Sequence, residues 1–214
     1  MPKTLTKKRL VEAAESLATR DRDLARILAD GGTPPLWARR PGFVTLIRII
    51  LEQQVSLASA DATYRRLTDD LAPSAPHKIE AAGASRLRSL GITRQKATYL
   101  VNVAEALRTG DLDLKEVGNS DDETATGKLI NIKGVGPWTA EIYLLMALRR
   151  PDVWPAGDIA LAAAARSVKR LQKRPTPAEL AEIADTWRPY RAVAARMLWQ
   201  YYLNGMSHGE TTAR

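Results

Sequence analysis

The helical period constrains this chain most. Apolar residues recur at spacings of three and four, and nowhere do several residues alternate strictly over a strand-length window. Between Arg94 and Arg108 they fall at Ala97, Leu100, Val101, Ala104 and Leu107, and near the C-terminus Val193, Ala194, Met197, Leu198 and Tyr201 repeat the pattern. Such stripes follow the 3.6-residue turn of a helix, not the two-residue period of a strand. The apolar run Phe43–Leu51 reads as a buried helix, although a run this short does not by itself exclude a strand. Breakers divide the pattern at Gly31–Pro35, Pro73–Pro76, Gly83, Gly91, Pro151–Gly157 and Arg174–Pro177, and Gly110–Ser120 reads as a polar connection. Asp121-Asp122-Glu123 suits the start of a helix, where carboxylates meet the positive end of the dipole. The prediction is an all-α, bilobal domain over residues 1–214, with roughly ten helices and no repeat or long linker.

Charge and composition narrow the chemistry. The 214 residues carry a formal net charge of +8, which favours polyanionic partners, nucleic acid first. With no cysteine there is no disulfide, thiolate zinc site, iron–sulfur cluster or cysteine nucleophile. His77 and His208 lie far apart and near no acidic cluster, so a histidine-based metal site is not expected. Catalysis would rest on carboxylates, hydroxyls or lysines. The N-terminus Met1–Leu10 is basic, but no apolar run follows it, and no stretch of about 20 apolar residues occurs anywhere. The expectation is a soluble, cytoplasmic protein with no membrane partner.

The segment Ile132–Trp138 is the richest. One helix should end near Asn131. Gly134 and Gly136 supply positive φ or close backbone approach, and Pro137 suits the first turn of the next helix. Thr139 is expected to face outward near that helix start. Free N–H groups and the helix dipole converge on such a turn, two glycines leave room for a phosphate, and Lys133 adds a positive charge. A tight helix–helix turn with no ligand is the competing reading of a bare Gly-x-Gly.

Leu129–Ala140 resembles the helix–hairpin–helix of the base-excision DNA glycosylase superfamily. In that family a Gly/Pro-rich stretch ending in aspartate follows, here Trp154-Pro-Ala-Gly-Asp158. Ile50–Ser56 is similar to the family's segment that fills the gap left by a flipped base, and Trp187–Arg191 to the C-terminal signature of its alkyladenine subgroup, the 3-methyladenine glycosylase II type. The resemblance covers about Asp21–Asn204, with the hairpin motif at about 124–148. The N-terminal β-domain of some relatives has no counterpart in the sequence. The resemblance implies a monomer that works on double-stranded DNA containing alkylated bases. It further implies no required cofactor, but a structural Na+ or K+ held by the backbone carbonyls of Ile130, Ile132 and Val135. The hairpin residues Lys133, Gly134, Val135, Gly136 and Thr139 would bind the DNA backbone. Arg94 and Lys96 resemble a second phosphate contact, and a solvated basic face is the alternative for them.

Releasing a base breaks an N-glycosidic bond, and the sugar develops oxocarbenium character as the base leaves. A carboxylate near the anomeric carbon stabilises that charge and can orient water. Asp158, ahead of a helix expected over Ile159–Leu171, matches the family's catalytic position; for an isolated aspartate the bland role is helix N-cap, and the two roles can coexist. Members with lyase activity carry a lysine where this chain has Trp138, and that lysine forms a Schiff base. The resemblance therefore implies a monofunctional enzyme that leaves an abasic site. Trp138 and Trp199 match aromatic pocket positions, where cation–π attraction would favour a positively charged methylated purine. Tyr190 and Trp187 are weaker pocket candidates; core packing is the alternative for any of the tryptophans, and most of all for Trp187. Ile142 stands where a relative carries an aromatic. Gln54 matches the wedge position; helix capping or buried hydrogen bonding is the alternative for Gln53 and Gln54. The rival to the whole reading is a non-catalytic helix–hairpin–helix DNA-binding module.

Overall fold

The computed structural model describes residues 4–72 and 75–209, without the side chains of 206–209; the His208 side chain and part of the Pro73–Pro76 break therefore lie outside what it describes. Among them there are twelve α-helices, one π-helical turn and no strand. The all-α expectation holds. No helix among the described residues is long and apolar enough to cross a membrane.

The chain divides into two compact units. Unit 1 is the continuous segment Arg39–Leu148, and unit 2 is built from the segments on either side of it. Unit 1 holds α3 (Phe43–Glu52), α4 (Leu57–Leu71), α5 (Pro76–Ser89), α6 (Arg94–Thr109), α7 (Leu114–Asn119), α8 (Asp122–Ile130), α9 (Pro137–Ile142) and the π-helical turn Tyr143–Ala147. Its centre is α3, whose Leu46, Ile47, Ile49, Ile50 and Leu51 are all buried. A helix whose apolar residues cover most of its surface needs neighbours around it, and α4, α6 and α9 pack on it. Its start is held by the Tyr143 hydroxyl, which accepts the Gly42 N–H at 2.9 Å.

One helix departs from the sequence reading here, and one predicted break falls within a helix span. The stretch read as a polar connection contains α7, because Asp113 accepts the N–H groups of Lys115 and Glu116 and the turn buries Val117. The break at Gly83 lies inside the span of α5: its φ of 67° kinks the helix and leaves the very short piece ahead of Gly91 that the glycine spacing predicts.

Unit 2 holds α1 (Lys7–Arg20), α2 (Arg22–Gly31), α10 (Ile159–Val168), α11 (Pro177–Asp185) and α12 (Arg191–Gly209). The stripe read on α12 understates its burial. Residues 192–199 are all buried, since α1, α2, α10 and α11 pack around this helix. Among them is Arg196, whose Nε donates to the Leu36 carbonyl at 2.9 Å and Nη1 to the Ala192 carbonyl at 2.7 Å. Burial pushes the Arg196 guanidinium down to about 10, so it stays charged at neutral pH. Helix α10 ends at Val168, three residues before the expected Leu171, with Lys169 as its C-cap.

Asp21 joins the helices of unit 2. It accepts the Asp23 and Leu24 N–H groups as N-cap of α2, the Lys169 ammonium at 2.7 Å and the Trp187 indole N–H at 2.7 Å. Trp187 is therefore core, with its ring edge-on to Trp154.

Candidate active site and DNA-binding hairpin

In unit 1, α8 ends on Asn131 and α9 starts on Pro137 at its first turn, as the Gly/Pro pattern predicts. Val135 N–H donates to the Ile132 carbonyl at 2.9 Å and closes the turn between them. Gly134 has φ 109°, and a Cβ there would fall 2.4 Å from Tyr99 Cγ, so both conformation and close approach require glycine. Gly136 differs from the expectation. Its φ of −84° suits any residue, and nothing lies within 4 Å of where its Cβ would be, so it leaves open space beside the backbone. Lys133 is exposed at the tip, while Ile132 and Val135 are buried and anchor it. The carbonyls of Ile130 and Val135 accept no hydrogen bond from the described residues, and that of Ile132 accepts one. Such carbonyls are suitable oxygen donors for a monovalent cation.

Thr139 was expected to face outward; it is 1% exposed, and its hydroxyl accepts the Gln53 Nε2 at 2.8 Å. The same Nε2 donates to the Gly134 carbonyl at 3.1 Å. The reason is helical phase, since Thr139 shares a face with Ile142 and Tyr143, which are buried. Lys96 is likewise turned inward, its ammonium on the Leu51 carbonyl at 2.7 Å, and burial holds its pKa below the usual lysine value. Arg94 remains exposed at the start of α6. Asn102 Nδ2 donates to the Lys133 carbonyl at 3.2 Å.

Gln54 is exposed with φ 54°, a left-handed conformation uncommon for a residue with a Cβ. The strain is held from both sides. Before it, Glu52 accepts both arms of the Arg39 guanidinium at 2.9 Å, and Gln53 is fixed as described; after it, Ser56 caps α4. Val55 and Leu57 beside it are exposed apolar residues, Leu57 at 64%. Trp138 is half-buried on α9, and Ile142 is buried.

In unit 2, Asp158 is the N-cap of α10: its Oδ1 accepts the Leu161 N–H at 2.9 Å. The same oxygen accepts the Trp199 indole N–H at 3.1 Å, joining two residues 41 positions apart that were singled out separately. Trp199 is only 9% exposed and meets Trp37 edge-on at 6.3 Å. Trp37 has φ 44°, and the Arg196 bond to the Leu36 carbonyl fixes the backbone just before it. The chain of support thus runs from buried Arg196 through Trp37 and Trp199 to the carboxylate. Tyr190 is half-buried just ahead of α12, its N–H donating to the Trp187 carbonyl at 2.9 Å. Gln53, Tyr99, Asn102 and Trp37 were not singled out as site residues from the sequence.

These features define a helix–hairpin–helix protein with a capped aspartate after the hairpin. The chain belongs to the HhH-GPD superfamily of base excision DNA repair proteins, whose family model matches residues 47–189. DNA-3-methyladenine glycosylase 1 of Schizosaccharomyces pombe is 30% identical over 166 residues, 76% of this chain and 73% of that protein. YfjP of Bacillus subtilis is 27% identical over 83% of this chain, which spans 64% of that protein's length. The solved S. pombe 3-methyladenine DNA glycosylase in complex with abasic DNA superposes with a TM-score of 0.82 at 28% identity, covering 88% of this chain and 95% of that one.

Proposed function

We propose that the protein is a monofunctional DNA glycosylase of base excision repair that releases alkylated purines, of the 3-methyladenine and 7-methylguanine class, from duplex DNA. The observation that carries the reading is Asp158. Its Oδ1 is held by a helix-start N–H and an indole N–H, so the carboxylate is oriented before any substrate arrives. As the N-glycosidic bond lengthens, its electron pair leaves with the base and positive charge grows on the sugar. Asp158 offsets that charge and orients water for attack at the anomeric carbon; the water's proton is lost to solvent, and an abasic site remains. A methylated purine already carries positive charge, so it leaves more readily than a neutral base does. No lysine stands at position 138 to form a Schiff base, so the sugar–phosphate strand is left intact.

The hairpin supplies backbone affinity. Lys133 and the N–H groups leading into α9 face a phosphate, and the carbonyls of Ile130, Ile132 and Val135 would hold a Na+ or K+. When bound, that ion would add positive charge beside the phosphate; the chain's own part is to leave the Ile130 and Val135 carbonyls without a backbone donor, while that of Ile132 also accepts the Val135 N–H. Gln54 fills the gap left by the flipped base, which costs a few kcal/mol to extrude from a paired stack. The protein acts as a monomer in the cytoplasm, where it reaches DNA.

Asp158→Asn tests the reading. Asparagine is as good an N-cap as aspartate, so α10 should remain intact. Base release from methylated duplex DNA, followed by mass spectrometry, should fall by at least about a thousandfold if the carboxylate supplies about 4 kcal/mol of charge stabilisation. Retained release in Asp158→Asn removes the catalytic assignment. A wild-type protein that binds DNA tightly but releases no base is a DNA-binding module instead.

A further inference from the structure

We propose that Gln53 is a positioning residue that locks the gap-filling tip to the hairpin, so that backbone grip and insertion of Gln54 act as one rigid device. This rests on the glycosylase reading for its substrate, but not for its test. One amide nitrogen, Gln53 Nε2, donates both to the Gly134 carbonyl at 3.1 Å and to the Thr139 hydroxyl at 2.8 Å. These acceptors lie on the turn and on the first turn of α9, 81 and 86 positions away in the chain. The next residue is Gln54, in its left-handed conformation. A residue held there persists only when its surroundings over-determine it.

Helix α6 underlies both segments. Lys96 binds the last turn of α3 through the Leu51 carbonyl, and Asn102 binds the hairpin through the Lys133 carbonyl. The Tyr99 ring lies directly under Gly134. Tip and hairpin therefore share a base, and Gln53 joins them directly above it. The consequence is mechanical. When the hairpin is seated on a phosphate, the tip stands at a fixed offset from that phosphate and cannot retreat as the stack pushes back. Without the Gln53 bonds the hairpin still grips, while the tip relaxes away from the left-handed conformation.

The test separates insertion from grip. A duplex carries a tetrahydrofuran abasic analogue opposite 2-aminopurine, whose fluorescence rises when it is unstacked. The rise is read at saturating protein, so that affinity does not enter. Gln53→Leu removes both bonds and should shift the insertion equilibrium about thirtyfold toward the retracted tip, lowering the saturating rise several-fold, while affinity changes much less. Thr139→Val, close in shape and hence safe for the fold, should lower it less. Thr139→Ser should restore it, and the Gln53→Leu/Thr139→Val double variant should be no worse than Gln53→Leu alone, the non-additivity of a shared contact. If Gln53→Leu does not fold, Thr139→Val against Thr139→Ser decides. A full rise in saturated Gln53→Leu overturns the proposal, as does affinity falling in proportion with the rise, or a wild-type protein that gives no rise. If the wild type shows the predicted rise yet releases no base from methylated DNA, the glycosylase reading fails alone.

Discussion

The Trp199 indole N–H and the Leu161 backbone N–H converge on a single oxygen of Asp158, at 3.1 and 2.9 Å. An indole committed in this way, and packed edge-on to Trp37, orients the carboxylate. Trp199→Phe keeps the ring and removes the donor. Single-turnover base release should fall about tenfold to a hundredfold, the range for a hydrogen bond to a charged group, with DNA affinity unchanged. A wild-type rate in this variant would mean that Trp199 acts through its ring alone.

The two hairpin glycines should behave differently. Gly134→Ala meets both the positive φ and the Tyr99 ring, which together should cost about 2–4 kcal/mol and lower the melting temperature by several degrees. Gly136→Ala has an ordinary φ and open space, so it should melt like the wild type and lose DNA affinity only. Thermal melting and a binding isotherm, run side by side, check both. Equal melting for the two variants would contradict the geometry.

Lys133 is exposed and Lys96 is turned inward, so only the first should act as a phosphate-neutralising charge. Lys133→Ala should reduce the slope of log affinity against log salt by about 1, whatever the DNA sequence. An unchanged slope would take Lys133 out of the interface.

Asp21 gives unit 2 a pH dependence. Burial alone would raise its pKa, but the hydrogen bonds from Lys169, Trp187 and Leu24 and the Lys169 charge outweigh burial and hold it below the ordinary 3.8. A depressed acid contributes its full stability above the unfolded value, and loses it as the pH falls through that value toward the folded one. Asp21→Asn should therefore be less stable than wild type by about 1–3 kcal/mol at neutral pH. The two melting curves should draw together as the pH falls below 3.8 toward the folded value. Curves that stay parallel would show that the charge contributes nothing.

Much of this was legible from single residues. Asp158 was readable as an N-cap because a short polar side chain stands just before an apolar helical run; its second role came from the resemblance alone. Pro137 marked a first helical turn because it lacks an N–H. The inward turn of Thr139 was present in the pattern too, three and four residues ahead of Ile142 and Tyr143, but the glycines beside it drew a ligand-facing reading. Lys96 repeats the lesson, since it borders the apolar stripe of α6 at Ala97 and Leu100. Trp37 was not legible. Its importance comes from an edge-on ring 162 positions later and from a buried arginine holding its backbone, and neither leaves a local period or spacing.

The discontinuity of unit 2 sets an order on synthesis. Unit 1 is one uninterrupted stretch, so the hairpin and the tip can fold as soon as that stretch has left the ribosome. The unit that carries Asp158 cannot close until α12 has emerged to join α1 and α2, which were made first. During that interval α1 and α2 can cover each other only in part, and the faces that α12 will bury stay open until it arrives.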